Sequence, residues 1–180
     1  YYTHCEDGEY LLISEIAGID CSSVIYEANP ETMVRSLAEG LRQMHSLDIA
    51  SCPFDQTLGL KLENARLNME RGLVDEENFE EEYQGRTTQE LYKELLARRP
   101  LGEDLVFTHG DYCLPNVILK DGRLAGFIDL GRAGVADRYQ DIVLAVRSLR
   151  HNVYSEELVH LFLEAYGLSD PDWEKIEYYI

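Results

Sequence analysis

The 180 residues carry 34 Asp+Glu against 16 Lys+Arg, a formal charge of −18. A chain this acidic repels phosphate backbones, so nucleic acid and anionic membrane surfaces are poor partners, whereas a cationic small molecule or a metal-neutralised anion suits it. With 45% apolar residues it is a globular chain rather than an acidic tail, long enough for one domain with a sizeable core. No apolar run reaches the 18 residues a membrane span requires, and no segment resembles a signal peptide. The four cysteines, Cys5, Cys21, Cys52 and Cys113, form no C-x-x-C pair, which points to free thiols in a reducing cytoplasm rather than a zinc site.

In chain order, residues 9–14 (EYLLIS) read as a short buried strand following the turn residues Asp7-Gly8. A helix starts at Asn29-Pro30, with Asn as N-cap and Pro at the first helical position. Its core face is Met33, Val34, Leu37, Leu41 and Met44. A less regular helical stretch covers 58–73. Residues 75–82 (DEENFEEE) hold six acids in eight positions. Thr87-x-x-Glu90 forms a capping box for a helix that ends before Pro100. Leu105–Thr108 is a short strand, and Asp121-Gly122 joins strands 117–120 and 123–128 as a two-residue hairpin. Helices are expected at 137–150, at 155–166 with Ser155 as N-cap and Gly167 just past the end, and from Pro171 onward. The fold class is mainly α with a small central β-hairpin.

The chemistry gathers around that hairpin. A two-residue loop sets Lys120 opposite Arg123, Val117 opposite Gly126 and Asn116 opposite Phe127. Strand alternation then makes Asn116 and Asp129 diagonal neighbours, about 7–8 Å apart, able to share one ion. One carboxylate and one amide oxygen, with room for water and phosphate oxygens, suit Mg²⁺. Asp111 lies on the loop feeding the hairpin, where a carboxylate would orient an attacking hydroxyl. His109 reads as a structural residue holding that loop, Asp141 as a loop anchor at a helix start, and Cys113 as an incidental small side chain rather than a nucleophile.

The pattern H-G-D-x-x-x-x-N, followed thirteen residues later by the Asp of FIDLG, resembles the catalytic loop and metal-binding Asp of protein-kinase-like phosphotransferases. With GFIDLGRAGVADRYQD over 126–141, YLLISE over 10–15, DIASCP over 48–53 and VRSLR over 146–150, it is similar to aminoglycoside 3′-phosphotransferases. The resemblance covers nearly the whole chain but only that family's C-terminal lobe plus hinge strand, in a protein-kinase-like α+β fold. No glycine-containing phosphate loop, strand lysine or partner glutamate of the N-terminal nucleotide lobe is found. The organisation it implies is one lobe over 1–180. Residues 1–16 are hinge strand and linker, 75–86 an acidic substrate-binding insertion, and 105–132 the catalytic and metal-binding hairpin.

By the same resemblance, Asp111 orients the substrate hydroxyl and Asn116 and Asp129 hold Mg²⁺. Ser14 and Ile16 pair with the adenine through the hinge backbone, and Ile128 covers the ring. Glu77, Asn78 and Glu80 receive ammonium groups, and Arg132 and Arg147 are active-site arginines. The implied activity moves the γ-phosphate of ATP or GTP to an aminoglycoside hydroxyl, giving antibiotic resistance. Residues 1–104 carry 22 acids and 9 bases, against 12 and 7 in the remainder, so the acidic excess lies on the side expected to meet a cation. Leu114, His151 and Asn152 depart from the family pattern at positions where some members carry acids. Three alternatives stay open: a non-catalytic fragment or binding module, a related kinase for choline, a sugar or a macrolide, and last a phosphatase, for which the His/Asp clusters of a two-metal site are missing.

Overall fold

A computed structural model describes every residue except Glu6 and Val153, and Glu82 only through its backbone. The first helix, α1 (Pro30–His45), begins where the Asn29 side chain accepts hydrogen bonds from Thr32 N and Oγ1. The five expected apolar positions, Met33, Val34, Leu37, Leu41 and Met44, are all buried. This helix packs along α5 (Glu156–Tyr166), whose Val159, Phe162 and Leu163 join Leu37, Leu41 and the buried Ile142 and Leu149 of α4 (Tyr139–His151) in one core. Burial of a Leu or Ile contributes about 1.5–3 kcal/mol each, so these three helices form the frame on which the rest is hung.

Helix ends follow the sequence signals. The Thr87–Glu90 capping box opens α3 (Thr88–Ala97). Gly167 takes a left-handed conformation (φ 100°) and closes α5 through Leu168 N to Leu163 O. α2 covers Leu58–Glu70, and α6 (Trp173–Tyr179) is capped by Asp172. Lys175 of α6 reaches the buried Asp137 at 2.7 Å and fixes this last helix to the body. No described helix is long and apolar enough to cross a membrane.

Three small antiparallel sheets accompany the helices. β1 (Tyr2–Cys5) pairs with β2 (Gly8–Leu11), β3 (Ile19–Asp20) with β5 (Val117–Lys120), β5 with β6 (Arg123–Phe127), and β4 (Leu105–Thr108) with β7 (Gly134–Asp137). Two expectations are corrected. The 9–14 segment is a strand only to Leu11 and is not buried: Leu11, Leu12 and Ile13 are 65–71% exposed. The β1–β2 ribbon is exposed along most of its length. The second correction concerns register.

The hairpin turn forms as expected, Asp121 (φ 51°) and Gly122 (φ 71°) both having the positive φ of a type I′ turn. Lys120 faces Arg123 and Leu119 faces Leu124. A bulge then inserts Ala125, so Ile118 faces Gly126 and Val117 faces Phe127. Asn116 accordingly lies opposite Ile128, whose N–H donates to the Asn116 carbonyl at 3.0 Å, and not opposite Phe127. β7 was also unexpected: residues 134–137 pair with β4 before the helix begins at Tyr139.

Candidate active site

β4 delivers the chain to His109, Gly110 and Asp111, and Asp141 in the first turn of α4 receives it. The fully buried Asp141 carboxylate accepts His109 N at 2.7 Å and Gly110 N at 2.9 Å. Gly110 has φ 82°, and a Cβ there would lie 2.1 Å from the Arg132 carbonyl oxygen, so only glycine fits between the loop and the 129–133 turn. The His109 ring is buried and fully committed. Its Nε2 lies 2.9 Å from Ile128 O, which can only accept, so Nε2 carries the hydrogen and Nδ1 accepts from Asp111 N at 3.3 Å. Edge contacts to Tyr112 and Phe127 complete its surroundings. Geometry thus makes His109 a structural residue with no ring atom free to act as a base.

Asp111 is half-buried, and Asn116 holds it. Asn116 Nδ2 donates to the Asp111 carbonyl at 2.9 Å and to its Oδ2 at 3.3 Å. With Nδ2 spent, the Asn116 Oδ1 remains as a lone-pair donor with no hydrogen bond among the described residues. Asp129 follows the end of β6 and is exposed, in the left-handed region at φ 59°. The residue before it, Ile128, bonds to the loop through both of its main-chain groups, its N–H donating to the Asn116 carbonyl and its carbonyl accepting from the His109 ring, so the chain at Asp129 follows directly from these contacts. Apart from Asp121 in the hairpin turn it is the only described non-glycine residue with positive φ, a strain of about 1 kcal/mol that clusters at functional sites. An amide oxygen and a carboxylate, neither given a hydrogen-bond partner among the described residues, are the donor types that suit a hard cation keeping water and phosphate ligands, such as Mg²⁺.

Cys113 lies in the same loop. Burial first, and then the Asp111 charge, push its thiol pKa up, which disfavours the thiolate and a nucleophilic role. Lys61 of α2 escaped notice in the sequence. It is half-buried and close enough to feel both Asp141 and Arg132, and burial chiefly lowers its pKa. A cavity of about 400 Å³ between α2, α3 and α6 is lined by Leu62, Leu91, Leu95 and Tyr178, among others, and by no residue of the 109–116 loop.

The remaining candidate residues fall into two groups. Ile16 packs on β6, where a Cβ at Gly126 would lie 2.9 Å from its Cδ1, and Ile128 follows two residues along the same chain, 36% exposed. Ser14 lies in the exposed segment leading to Ile16. In the acidic stretch two short 3₁₀ turns, Glu76–Asn78 and Glu81–Tyr83, replace a regular helix. Asp75 organises the first, accepting Glu77 N at 3.1 Å and Asn78 Nδ2 at 2.7 Å, and Glu76 accepts Thr88 N and Oγ1 at the start of α3. Several acids are thereby structural. Glu80 pairs with Arg147 of α4, which joins two of the expected residues. Glu77 stays exposed with no ion pair among the described residues, and no described contact ties Glu77, Asn78 or the exposed Arg132 side chain to Asp111.

A model of the phosphotransferase enzyme family, APH, matches residues 2–179. An aminoglycoside 3′-phosphotransferase of Niallia circulans is 50% identical over 172 residues, spanning 96% of this chain and 65% of that protein. The chain therefore spans just under two thirds of such relatives. Among solved structures, an aminoglycoside-3′-phosphotransferase of type VIII superposes with a TM-score of 0.84 at 33% identity, over 92% of this chain and 64% of the other. A Streptomyces rimosus aminoglycoside phosphotransferase, solved with ADP and streptomycin, gives 0.78 at 30% identity over 96% and 68%. Together with a loop pinned by a buried carboxylate and an Asp held by Asn, the match along nearly the entire sequence leads to one conclusion: this chain belongs to the phosphotransferase enzyme family.

Proposed function

We propose that this chain is the C-terminal lobe and hinge strand of a kinase that moves the γ-phosphate of ATP or GTP to a hydroxyl of an aminoglycoside, and so confers antibiotic resistance. The observation that carries this reading is the hydrogen-bonded pair Asp111–Asn116 beside the left-handed Asp129. The half identity to an aminoglycoside 3′-phosphotransferase supports the substrate class.

Asp111 accepts the hydrogen of the substrate hydroxyl and aligns its oxygen for in-line attack at the γ-phosphorus. Asn116 orients the Asp111 carboxylate through Nδ2, and its Oδ1 with the Asp129 carboxylate would hold Mg²⁺. When bound, the ion supplies charge neutralisation at the phosphate oxygens. Ser14 and Ile16 meet the adenine through their backbone and Ile128 covers its face. Glu77, Asn78 and Glu80 receive protonated amines, while Arg132 and Arg147 frame the site. Because Glu80 already pairs with Arg147, an incoming ammonium group joins or displaces that pair.

Two results test these roles. Asp129→Gly relieves the positive φ and is expected to stabilise the fold by up to about 1 kcal/mol, while lowering turnover at least about 100-fold. A denaturation curve and a rate measured on one preparation check both halves, and a Gly variant with normal turnover removes Asp129 from the site. Glu77→Ala combined with Glu80→Ala is expected to raise the aminoglycoside KM about tenfold at low salt. The difference should shrink as ionic strength shortens the Debye length. A KM equal to that of the unmutated protein at every salt concentration would reduce the acidic stretch to solvated surface.

A further inference from the structure

Behind the catalytic loop, α1 and α5 each place one polar side chain in the core. His45 ends the buried face of α1 and Tyr166 ends that of α5; they are 9% and 5% exposed. His45 Nδ1 lies 2.7 Å from the Tyr166 hydroxyl, and His45 Nε2 lies 3.1 Å from Asp141 Oδ2. The direction of each bond follows from its ends. Asp141 already accepts two main-chain N–H groups, and a carboxylate has no hydrogen to give, so His45 Nε2 carries the hydrogen. In the neutral ring Nδ1 then presents a lone pair, and the Tyr166 hydroxyl donates to it. The Tyr166 oxygen in turn accepts from Arg138 Nη1 at 3.2 Å, and Arg138 Nη2 donates to Asp104 Oδ1 at 3.1 Å.

A continuous chain of hydrogen bonds thus links the surface carboxylate of Asp104 to the amides of His109 and Gly110, with donation running from Arg138 through Tyr166 and His45 to Asp141, and with Asp104 and Asp141 as acceptors at its two ends. Burial pushes the Tyr166 pKa up, with Arg138 opposing, and so favours the hydroxyl that donates. Such an arrangement is costly to maintain in a core unless its members are satisfied; here every link of the chain is made, and the one buried side-chain nitrogen without a hydrogen bond among the described residues, Arg138 Nε, lies 2.6 Å from the Asp104 carboxylate as an ion pair.

We propose that Tyr166 is a positioning residue for the catalytic loop: its hydroxyl holds His45 in the tautomer that braces Asp141, and Asp141 sets the backbone from which Asp111 projects. The kinetic consequence rests on the phosphotransfer reading above; the structural consequence does not.

Tyr166→Phe is the direct test, because it keeps the ring edge on His45 (5.6 Å, 85°) and the stacking on Phe162 while deleting one hydroxyl. In the native protein the variant is expected to lose about fivefold to tenfold in kcat, with the KM of both substrates unchanged. Hydrogen exchange at the His109 and Gly110 amides should accelerate by a similar factor, and ¹⁵N NMR of the His45 ring should change from one tautomer to a mixture. Leu163→Ala serves as control. It removes a buried side chain of the same helix outside the hydrogen-bonded chain, and should lower the melting temperature while leaving the local exchange and the tautomer as they were. Unchanged exchange and an unchanged ring spectrum in Tyr166→Phe overturn the inference, as does equal acceleration in Leu163→Ala, which would mark plain destabilisation. If the unmutated protein transfers no phosphate, the proposed function falls, and the exchange and ring measurements still decide the role of Tyr166.

Discussion

Asp111→Ala is expected to lower the rate of phosphoryl transfer about 10²–10⁴-fold, the usual contribution of a positioned acid–base group, while leaving aminoglycoside binding intact. The side chain is half-buried, and its described partners are the Asn116 amide and the neighbouring Cys113 thiol. That amide also donates to the main-chain carbonyl of residue 111 at 2.9 Å, a bond the alanine variant keeps. The loop is further fixed at His109 and Gly110 by Asp141, independently of the deleted carboxylate. Its fold should therefore survive, and the loss should fall on kcat. Rapid-quench kinetics give the rate and calorimetry the affinity. Turnover within a few-fold of the unmutated protein would contradict the role assigned to Asp111, and a collapsed affinity would mean that it anchors the substrate instead.

Asp141→Ala should have the largest effect on stability, about 3–5 kcal/mol, out of a total that for a domain is about 5–15 kcal/mol. Its carboxylate is fully buried and accepts three hydrogen bonds, from His109 N, Gly110 N and His45 Nε2. Truncation leaves all three donors without a partner in a region closed to solvent, and each such group costs about 1–3 kcal/mol. Local collapse around the smaller side chain recovers part of this. Urea denaturation with an unchanged slope measures the loss, and Asp141→Asn, which keeps acceptor capacity on one oxygen, should show a smaller one. A shift below about 1 kcal/mol for the alanine variant would mean that the loop is held elsewhere, by Gly110 against Arg132 or by His109 against Ile128.

How far the sequence was legible depends on the range of the forces involved. The helices could be read because their signals are local: Asn29-Pro30, the Thr87–Glu90 box and Gly167 each act within one turn. The turn at Asp121-Gly122 could be read for the same reason. Register further up the hairpin could not, because the bulge at Ala125 is set by what lies across the sheet, including Ile16 pressed against Gly126. The 9–14 segment misled because apolar content signals a preference for burial, whereas burial itself needs a covering surface supplied by other residues. β7 was hidden behind the helical signal that follows it. Of the candidate site, Asp111, Asn116 and Asp129 stood out by spacing and His109 and Asp141 as loop anchors, while His45 and Tyr166 behind them did not. His45 lies four positions after Leu41, on the apolar face of α1, and Tyr166 three after Leu163 on that of α5. That spacing was the one available sign that two polar side chains point inward.

The most direct test is to incubate the native protein with Mg²⁺, ATP or GTP, and a kanamycin-class aminoglycoside, and to follow the drug by mass spectrometry and ³¹P NMR. Addition of one phosphoryl group to a drug hydroxyl, dependent on nucleotide and lost in Asp111→Ala, is the expected result. Unmodified drug after prolonged incubation, or equal product from the Asp111→Ala variant, would contradict the assignment of this chain to aminoglycoside phosphorylation.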